Sequence, residues 1–494
     1  MLIAAVVVPL AGALILALIP SWPARLARAF GTAVAAVSLA VLVAAWMTFD
    51  PAGPLFQHVV DMAWIPAVGA GLRLGVDGIA LALACLTALL FVAAVAYPVD
   101  YRGRAREYVA WMLFLACVSI GFFVALDLLL FYVFFDLSLV GMYFLIALWG
   151  HDDRERAALK FILFTLAGSL VMLLGILSLA LATDPLTFDM RTLIARQPLA
   201  GAGARAGLTL LALLFGLAVK TPLVPVHTWL PAAHVEAPAP ASAILAGVLL
   251  KMGTYGMIRV PYAMMRETFA AYAPVLAGLA VVAVVYGALV SLGQRHIKRR
   301  IAYTSITHMG YTVLGIAVAA SIAPVHAQAR RLALTGATLE MVAHGLITGA
   351  LFLIAGSLWQ RGESFAMDGY GGLASRAPRL AAAAVAASFA SLGMPGFAGF
   401  VAEFQIFSAA LATEPWLAGL ALLGVLLMAA VFLQLLQAVF FGEPSDRSRA
   451  MGDVGAVESS TLAVLMGLTV VIGVAPAFIL ELIDAATLMW VGAR

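Results

Sequence analysis

The sequence predicts an all-α polytopic membrane protein of about fourteen spans, and three observations support this. Only 11% of its 494 residues are charged, under half the roughly one-quarter usual in soluble chains. Mean hydropathy is +1.07. The apolar residues also run continuously for about 20 residues at a time, the length that crosses a bilayer as a helix. An outer-membrane barrel would alternate instead. Such a composition excludes a soluble enzyme or a nucleic-acid-binding domain, and a net charge of +3 calls for no polyanionic partner.

The runs fall near residues 2–19, 28–48, 75–97, 109–126, 128–149, 159–182, 206–220, 240–262, 271–293, 300–321, 333–357, 379–412, 416–442 and 459–482. The first has no basic segment before it and reads as a retained span, not a cleaved signal. Loops on one side hold about two-thirds of the loop arginines and lysines, among them Arg102, Arg104, Lys298, Arg299 and Arg300. The other side holds fewer, such as Arg73, Arg191, Arg259 and Arg494. The richer side is expected to be cytoplasmic, with both termini facing away from it.

Two basic residues fit neither side. Lys220 and Lys251 fall inside apolar runs, although the chain has only two other lysines, Lys160 and Lys298. Asp136, Glu340 and Glu403 are embedded in the same way, and His308 and His344 sit at or within spans. An ionisable group at membrane depth costs about 2.5–3.5 kcal/mol on insertion scales, so several together imply burial, pairing and use. Isolated structural ion pairs or snorkelling ends are the plainer explanation, and they fit His308 and Glu340 better than the two lysines.

An internal echo accompanies these residues. LAGSL (166–170) and IAGSL (354–358) are each followed one span later by a proline-broken stretch, KTPLVP around Pro222 and GMPGFAGF around Pro395. Paired broken helices are the mark of a transporter-type repeat with its path at the breaks. Pro222 removes a backbone donor and leaves carbonyls near residues 216–219 in need of partners. Lys220, beside that break, would lose its proton when desolvated and hold it when a carboxylate approaches. Asp136 is the natural partner. Lys251, His344 and Glu403 would continue a row of titratable groups. A sodium site needs converging oxygens without competing lysines, so the row favours protons.

Other features carry less. Cys85 and Cys117 cannot ligate an iron–sulfur cluster, and no CxxC pair exists. Gly201, Gly203 and Gly207 lack the strand and spacing of a dinucleotide fingerprint. His227, His234 and Glu236 are too few and too spread for a metal site, so no metal is expected. Their loop is expected to re-enter the membrane, with the histidines hydrogen-bonded to backbone.

Several stretches together carry a resemblance. LAVKTPLVPVHTWLPAAHVEAP (217–238), LAGVLLKMGTYG (245–256), HIKRRIAYTSITHMGYTVLGI (296–316), MVAHGLITGALFLIAGSL (341–358) and MPGFAGFVAEF (394–404) are similar to the antiporter-like membrane subunits of respiratory complex I, NADH:quinone oxidoreductase. GVDGIALAL (75–83) and FFDLSLVGMYFLIALWG (134–150) bring the chain nearest to the fourth-chain, or M, type. The resemblance spans about residues 75 to 440.

It implies fourteen helices with two inverted five-helix repeats and two broken helices. The expected organisation is N-terminal helices at 1–108, repeats at 109–262 and 263–442, and a C-terminal helix at 443–494. It also implies a proton path through Asp136, Lys220, Lys251, His308, His344 and Glu403, driven by quinone reduction elsewhere. Glu403 stands where the M type has glutamate and its sister chains have lysine. A subunit of a multisubunit sodium/proton antiporter, or of a membrane-bound hydrogenase-type complex, is the alternative.

By the same resemblance no catalytic centre or cofactor lies in this chain. FMN, iron–sulfur clusters and quinone belong to partner subunits. The expected neighbours are chains L and N and lipid, in a bacterial inner (plasma) membrane. The sequence departs from the family in places. Asp136 replaces a glutamate, Ala232 an aspartate and His296 an acidic residue. The 237–243 run lacks the usual threonine and glycine, Glu340 is an added carboxylate, and the loop at 321–332 is extended.

Overall fold

In the computed structural model, which describes residues 1–19, 22–201, 203–320 and 326–492, helices dominate. The chain begins with α1 (Leu2–Leu18) and α2 (Ala24–Met47), followed by a hairpin of β1 (Gln57–Ile65) and β2 (Ala70–Val76). Next come α3 (Gly78–Ala96), α4 (Ala105–Val124), α5 (Leu128–Trp149), α6 (Arg154–Ala180) and the short α7 (Met190–Arg196). Helix α8 (Ala204–Lys220) leads through a turn into α9 (Trp229–Glu236). Helices α10 (Ala239–Ile244) and α11 (Leu250–Met257) form one rod, joined by a π-helical segment at Leu245–Leu249 and extended by another at Ile258–Tyr262. The remainder is α12 (Arg266–Leu292), α13 (Ile297–Ala319), α14 (Ala327–Gly362), α15 (Pro378–Ser391), α16 (Ala398–Thr413), α17 (Pro415–Val439), α18 (Asp446–Ala450), α19 (Ala456–Val474) and α20 (Ala477–Gly492).

Among the described residues, 11 helices are long and apolar enough to cross a membrane, taking Ala239–Tyr262 as one. The shorter α1 and α16 are also apolar. The protein is a multi-pass membrane protein.

Local chemistry starts these helices where the sequence changes character. Asp77 caps α3 by accepting from the Ala80 amide at 2.8 Å, and Asp127 caps α5 by accepting from Leu129 and Leu130. His296 caps α13 through Nδ1. Packing then sorts the helices by surface. The 239–262 rod, α13 and α14 are buried almost all round and form the centre, whereas α2, α17 and α19 are mostly uncovered. Small residues permit close crossings. A methyl on Gly216 of α8 would meet the Gly168 carbonyl of α6 at 2.5 Å.

The structure corrects the sequence reading in four places. The first is the antiparallel β1–β2 hairpin, in a chain expected to be wholly helical. Its turn passes through Gly69 at φ +70°, a conformation glycine adopts without penalty. The second is the run at 459–482, which is two helices. Pro476 disfavours helical backbone at Ala475, so α19 stops at Val474 and α20 restarts to pack against α3 and α14.

The third correction concerns Arg259, Lys298 and Arg300, which lie in no loop. Arg259 is buried in the second π-helical segment and paired to Asp77 at 2.9 Å. Lys298 and Arg300 are buried in the first turn of α13, because His296 starts the helix ahead of them. There the Lys298 ammonium donates to the carbonyls of Val235 (3.0 Å) and Ala237 (2.5 Å). The fourth is the stretch at 321–332. Residues 321–325 lie outside the described residues, as does Arg494, but from Ala327 onward the chain is already α14, a helix of 36 residues.

Candidate functional site

The break after α8 is where the sequence places it. The helix ends at Lys220, the chain turns through Pro222, and the Val219 carbonyl freed there accepts from the Trp229 indole at 2.9 Å. A tryptophan at the start of α9 therefore partners one of the carbonyls that the sequence left in need. Lys220 is 1% exposed. Its ammonium donates to the Ser138 hydroxyl at 2.9 Å and lies 4.8 Å from the Phe135 ring centre, a cation–π distance.

Asp136 shares α5 with Ser138 and faces Tyr132 one turn back, but its Oδ1 has no hydrogen-bond partner. No ion pair joins Asp136 to Lys220 among the described residues. Ser138 holds the lysine instead, and the sequence reading missed it. The signal was a hydroxyl two residues beyond the aspartate in an otherwise apolar helix.

Lys251 sits on α11 between the two π-helical segments, distortions that often occur at functional positions. It is fully buried. Its ammonium contacts the Ala246 carbonyl and His344 Nδ1, each at 2.5 Å. The imidazoles of His344 on α14 and His308 on α13 stand 5.3 Å apart. His308 is no exposed helix end. It is 3% exposed, with Nε2 against the Ser391 hydroxyl at 3.1 Å and Nδ1 at 3.0 Å from Glu340 Oε1 and 3.7 Å from Glu403 Oε1.

Glu403 comes from α16, just past the break around Pro395. Gly393, at φ +74°, lies so close to it that a methyl there would collide with Glu403 Oε2. The fold thus joins Lys251, His344, His308 and Glu403 in one buried row and adds Glu340 to it. Lys220 with Ser138 forms a separate group, with no hydrogen bond to Lys251 among the described residues.

His308, Glu340 and Glu403 each offer a ligand atom within 4.8 Å of the others, a set that a small cation could accept. The 3.0 Å His308–Glu340 separation is a hydrogen-bond length, as in proton sharing. The flanking histidines behave otherwise than expected. Neither His234 nitrogen finds a partner, and the ring stacks on Phe352 at 4.4 Å instead of bonding backbone. His227 Nδ1 is likewise unpartnered, with its ring edge-on to Tyr286.

Outside the spans, the hydrogen bond from Arg191 holds the Asp61 carboxyl below its usual range. Burial, assisted by the Lys298 charge, pushes the His151 imidazole down to about 3.

A multi-pass membrane protein with broken helices and a buried row of lysine, histidine and glutamate is the class that fold and site define. The chain belongs to the family described as NADH:quinone oxidoreductase/Mrp antiporter, membrane-spanning, whose model matches residues 125–429. It is 38% identical to NADH-quinone oxidoreductase subunit M of Rhodobacter capsulatus over 96% of this chain and 93% of that one. It is 36% identical to NAD(P)H-quinone oxidoreductase chain 4 of a Nostoc species over 98% of this chain and 90% of that one. A chain of respiratory complex I from Thermus thermophilus superposes with a TM-score of 0.88 at 30% identity, covering 100% of both chains.

Proposed function

We propose that this chain is the M-type, proton-translocating membrane subunit of an NADH:quinone oxidoreductase, moving protons along its buried charged residues while quinone is reduced elsewhere in the complex. The observation that carries this reading is the contact row Lys251–His344–His308–Glu403, built from four helices around one fully buried lysine. Moving a proton against the membrane potential requires about 2.3 kcal/mol per 100 mV, and that energy comes from the assembly. Lys220, poised between Ser138 and the nearby Asp136, is the first switch. When Asp136 approaches, the lysine keeps its proton; when it withdraws, the lysine passes it on.

In this reading the bundle has fourteen membrane helices, α19 and α20 together making the last. Two inverted five-helix repeats occupy 109–262 and 263–442, flanked by N-terminal helices (1–108) and a C-terminal segment (443–494). The LAGSL and IAGSL echo and the breaks at Pro222 and Pro395 support that division. The chain holds no catalytic centre. FMN, iron–sulfur clusters and quinone sit in partner subunits, and the neighbours are the L and N chains and lipid of a bacterial plasma membrane. Both termini face away from the cytoplasm.

The test is to purify the complex through a tag on this chain and measure flavin, iron–sulfur absorbance, NADH:quinone activity and proton movement in sealed vesicles. All are expected in the native complex, and Lys220→Ala is expected to assemble but not pump. A complex without NADH oxidation, or a Lys220→Ala form that pumps normally, would overturn the reading.

A further inference from the structure

The row ends in one carboxylate more than its role requires. Glu340 and Glu403 come from different helices, α14 and α16, yet both face His308 Nδ1, at 3.0 and 3.7 Å. Both are buried, at 1% and 5% exposure, and Glu340 Oε2 has no hydrogen-bond partner. Glu340 precedes His344 by four residues on α14, so the two share one helix face and Glu340 prolongs the line that starts at Lys251.

We propose that Glu340 is a second proton-carrying carboxyl of the row and shares one proton with Glu403 through the His308 imidazole. Two carboxylates around one site in low dielectric cannot both stay ionised, so one of them keeps a proton. His308 Nδ1 can carry one hydrogen and serve one carboxylate at a time. With Nε2–H donating to Ser391, the free Nδ1 lone pair accepts the proton of one carboxyl. An O–H bond breaks, an N–H bond forms and the ring becomes imidazolium. A small rotation aims that N–H at the other carboxylate, where the N–H breaks and a new O–H forms, restoring the neutral ring.

The groups facing this exchange are few. Tyr311 is 5.7 Å away between ring centres, with its hydroxyl unpartnered. Among the described residues, Ser391 of α15, His344 of α14 and, beyond His344, Lys251 of α11 complete the set. The cluster therefore stores a proton arriving from Lys251 until the far side can take it.

The proposal rests on the proton-translocation reading, and its test keeps the two separable. In the intact complex in sealed vesicles, Glu340→Gln keeps a hydrogen-bonding partner for His308 Nδ1, since its amide N–H can donate to the lone pair, but it cannot carry the proton. The ratio of protons moved to NADH oxidised is expected to fall and its pH profile to shift, with Glu340→Asp restoring part of both. An unchanged ratio and profile in Glu340→Gln, alongside lost pumping in Lys251→Met, would show that Glu340 merely orients the imidazole. Normal pumping in Lys251→Met as well would sink the underlying reading instead. Should Glu340→Gln fail to assemble, infrared titration of Glu403→Gln against the native complex interrogates the same pair. The remaining carboxyl is expected to release its proton at lower pH than the shared one, and an unshifted titration overturns the proposal.

Discussion

Replacing Lys251 separates proton carriage from charge. Lys251→Met removes an ammonium that contacts the Ala246 carbonyl and His344 Nδ1 at 2.5 Å, and it leaves His344 with no hydrogen bond on either nitrogen. Each orphaned buried group costs about 1–3 kcal/mol. Removing a charge from membrane depth returns about 2.5–3.5 kcal/mol. The two nearly cancel, so the variant is expected to insert and assemble. Its defect lies in transfer. Loss of a positioned acid–base group slows a proton step by about 10²–10⁴-fold, which is enough to stop pumping through this chain. Lys251→Arg sharpens the test, because a guanidinium keeps the charge and the donors but does not deprotonate in proteins. Both variants are expected to show a similarly reduced ratio of protons moved to NADH oxidised, measured with a pH-sensitive dye in sealed vesicles. Native pumping by Lys251→Arg would show that Lys251 supplies only a fixed charge, and the relay argument would fail there.

Two further predictions concern stability. Arg259 is paired with Asp77, which also accepts from the Trp490 indole of α20 at 3.0 Å. Arg259→Ala leaves a buried carboxylate uncompensated and is expected to destabilise the chain by about 3–5 kcal/mol, read as a lower Tm in detergent. Adding Asp77→Asn, which keeps the α3 cap, should recover part of that loss. The second follows from His151 and His296, which burial lowers from 6.5 to about 3 and about 4. Because the folded values lie below the unfolded ones, the unfolded chain binds more protons across that window. Their destabilising effect is therefore absent above pH 6.5 and grows as pH falls toward 4. Allowing for the water still around each half-buried ring, it reaches about 1 kcal/mol per histidine. The Tm should fall with pH over that range, less steeply in His151→Asn, and an identical slope in the variant would refute the assignment.

Most of the membrane architecture could be read from the sequence because a bilayer imposes one length and one polarity on every span. Where that rule lapses, the reading lapsed as well. The β1–β2 hairpin lies almost wholly outside the apolar runs, in a stretch whose pairing depends on long-range partners such as Asp127, which receives a 2.6 Å contact from Arg73. The basic HIKRR run looked like a solvated loop. His296 caps a helix there and turns Lys298 inward, and no charge count could register that. Within the site, Lys220, Lys251 and Glu403 were legible because each is a charge set in apolar sequence. Ser138 and Ser391 were not, since a serine in a membrane helix bonds its own backbone as readily as another side chain.

The arrangement of the row also constrains how it works. From Lys251 to Glu403 the groups stand in contact or one ring apart, although among the described residues no hydrogen bond joins His344 to His308. Between Lys220 and Lys251 no hydrogen bond bridges the gap among the described residues, although Gly253 lets α11 press against Thr221 at the end of α8. Asp136, at the start, has an unsatisfied oxygen and, among the described residues, no ion pair with its lysine. A row fully connected in one state would leak protons along the gradient it is meant to build. Two of the interruptions, at Asp136–Lys220 and at Lys220–Lys251, flank the broken helix around Pro222. They fall beside irregular backbone, and the rest of the row lies in the buried centre. In the proposed path, control therefore falls to Lys220, and the Lys251–His344–His308 segment with its two glutamates would hold and deliver the proton.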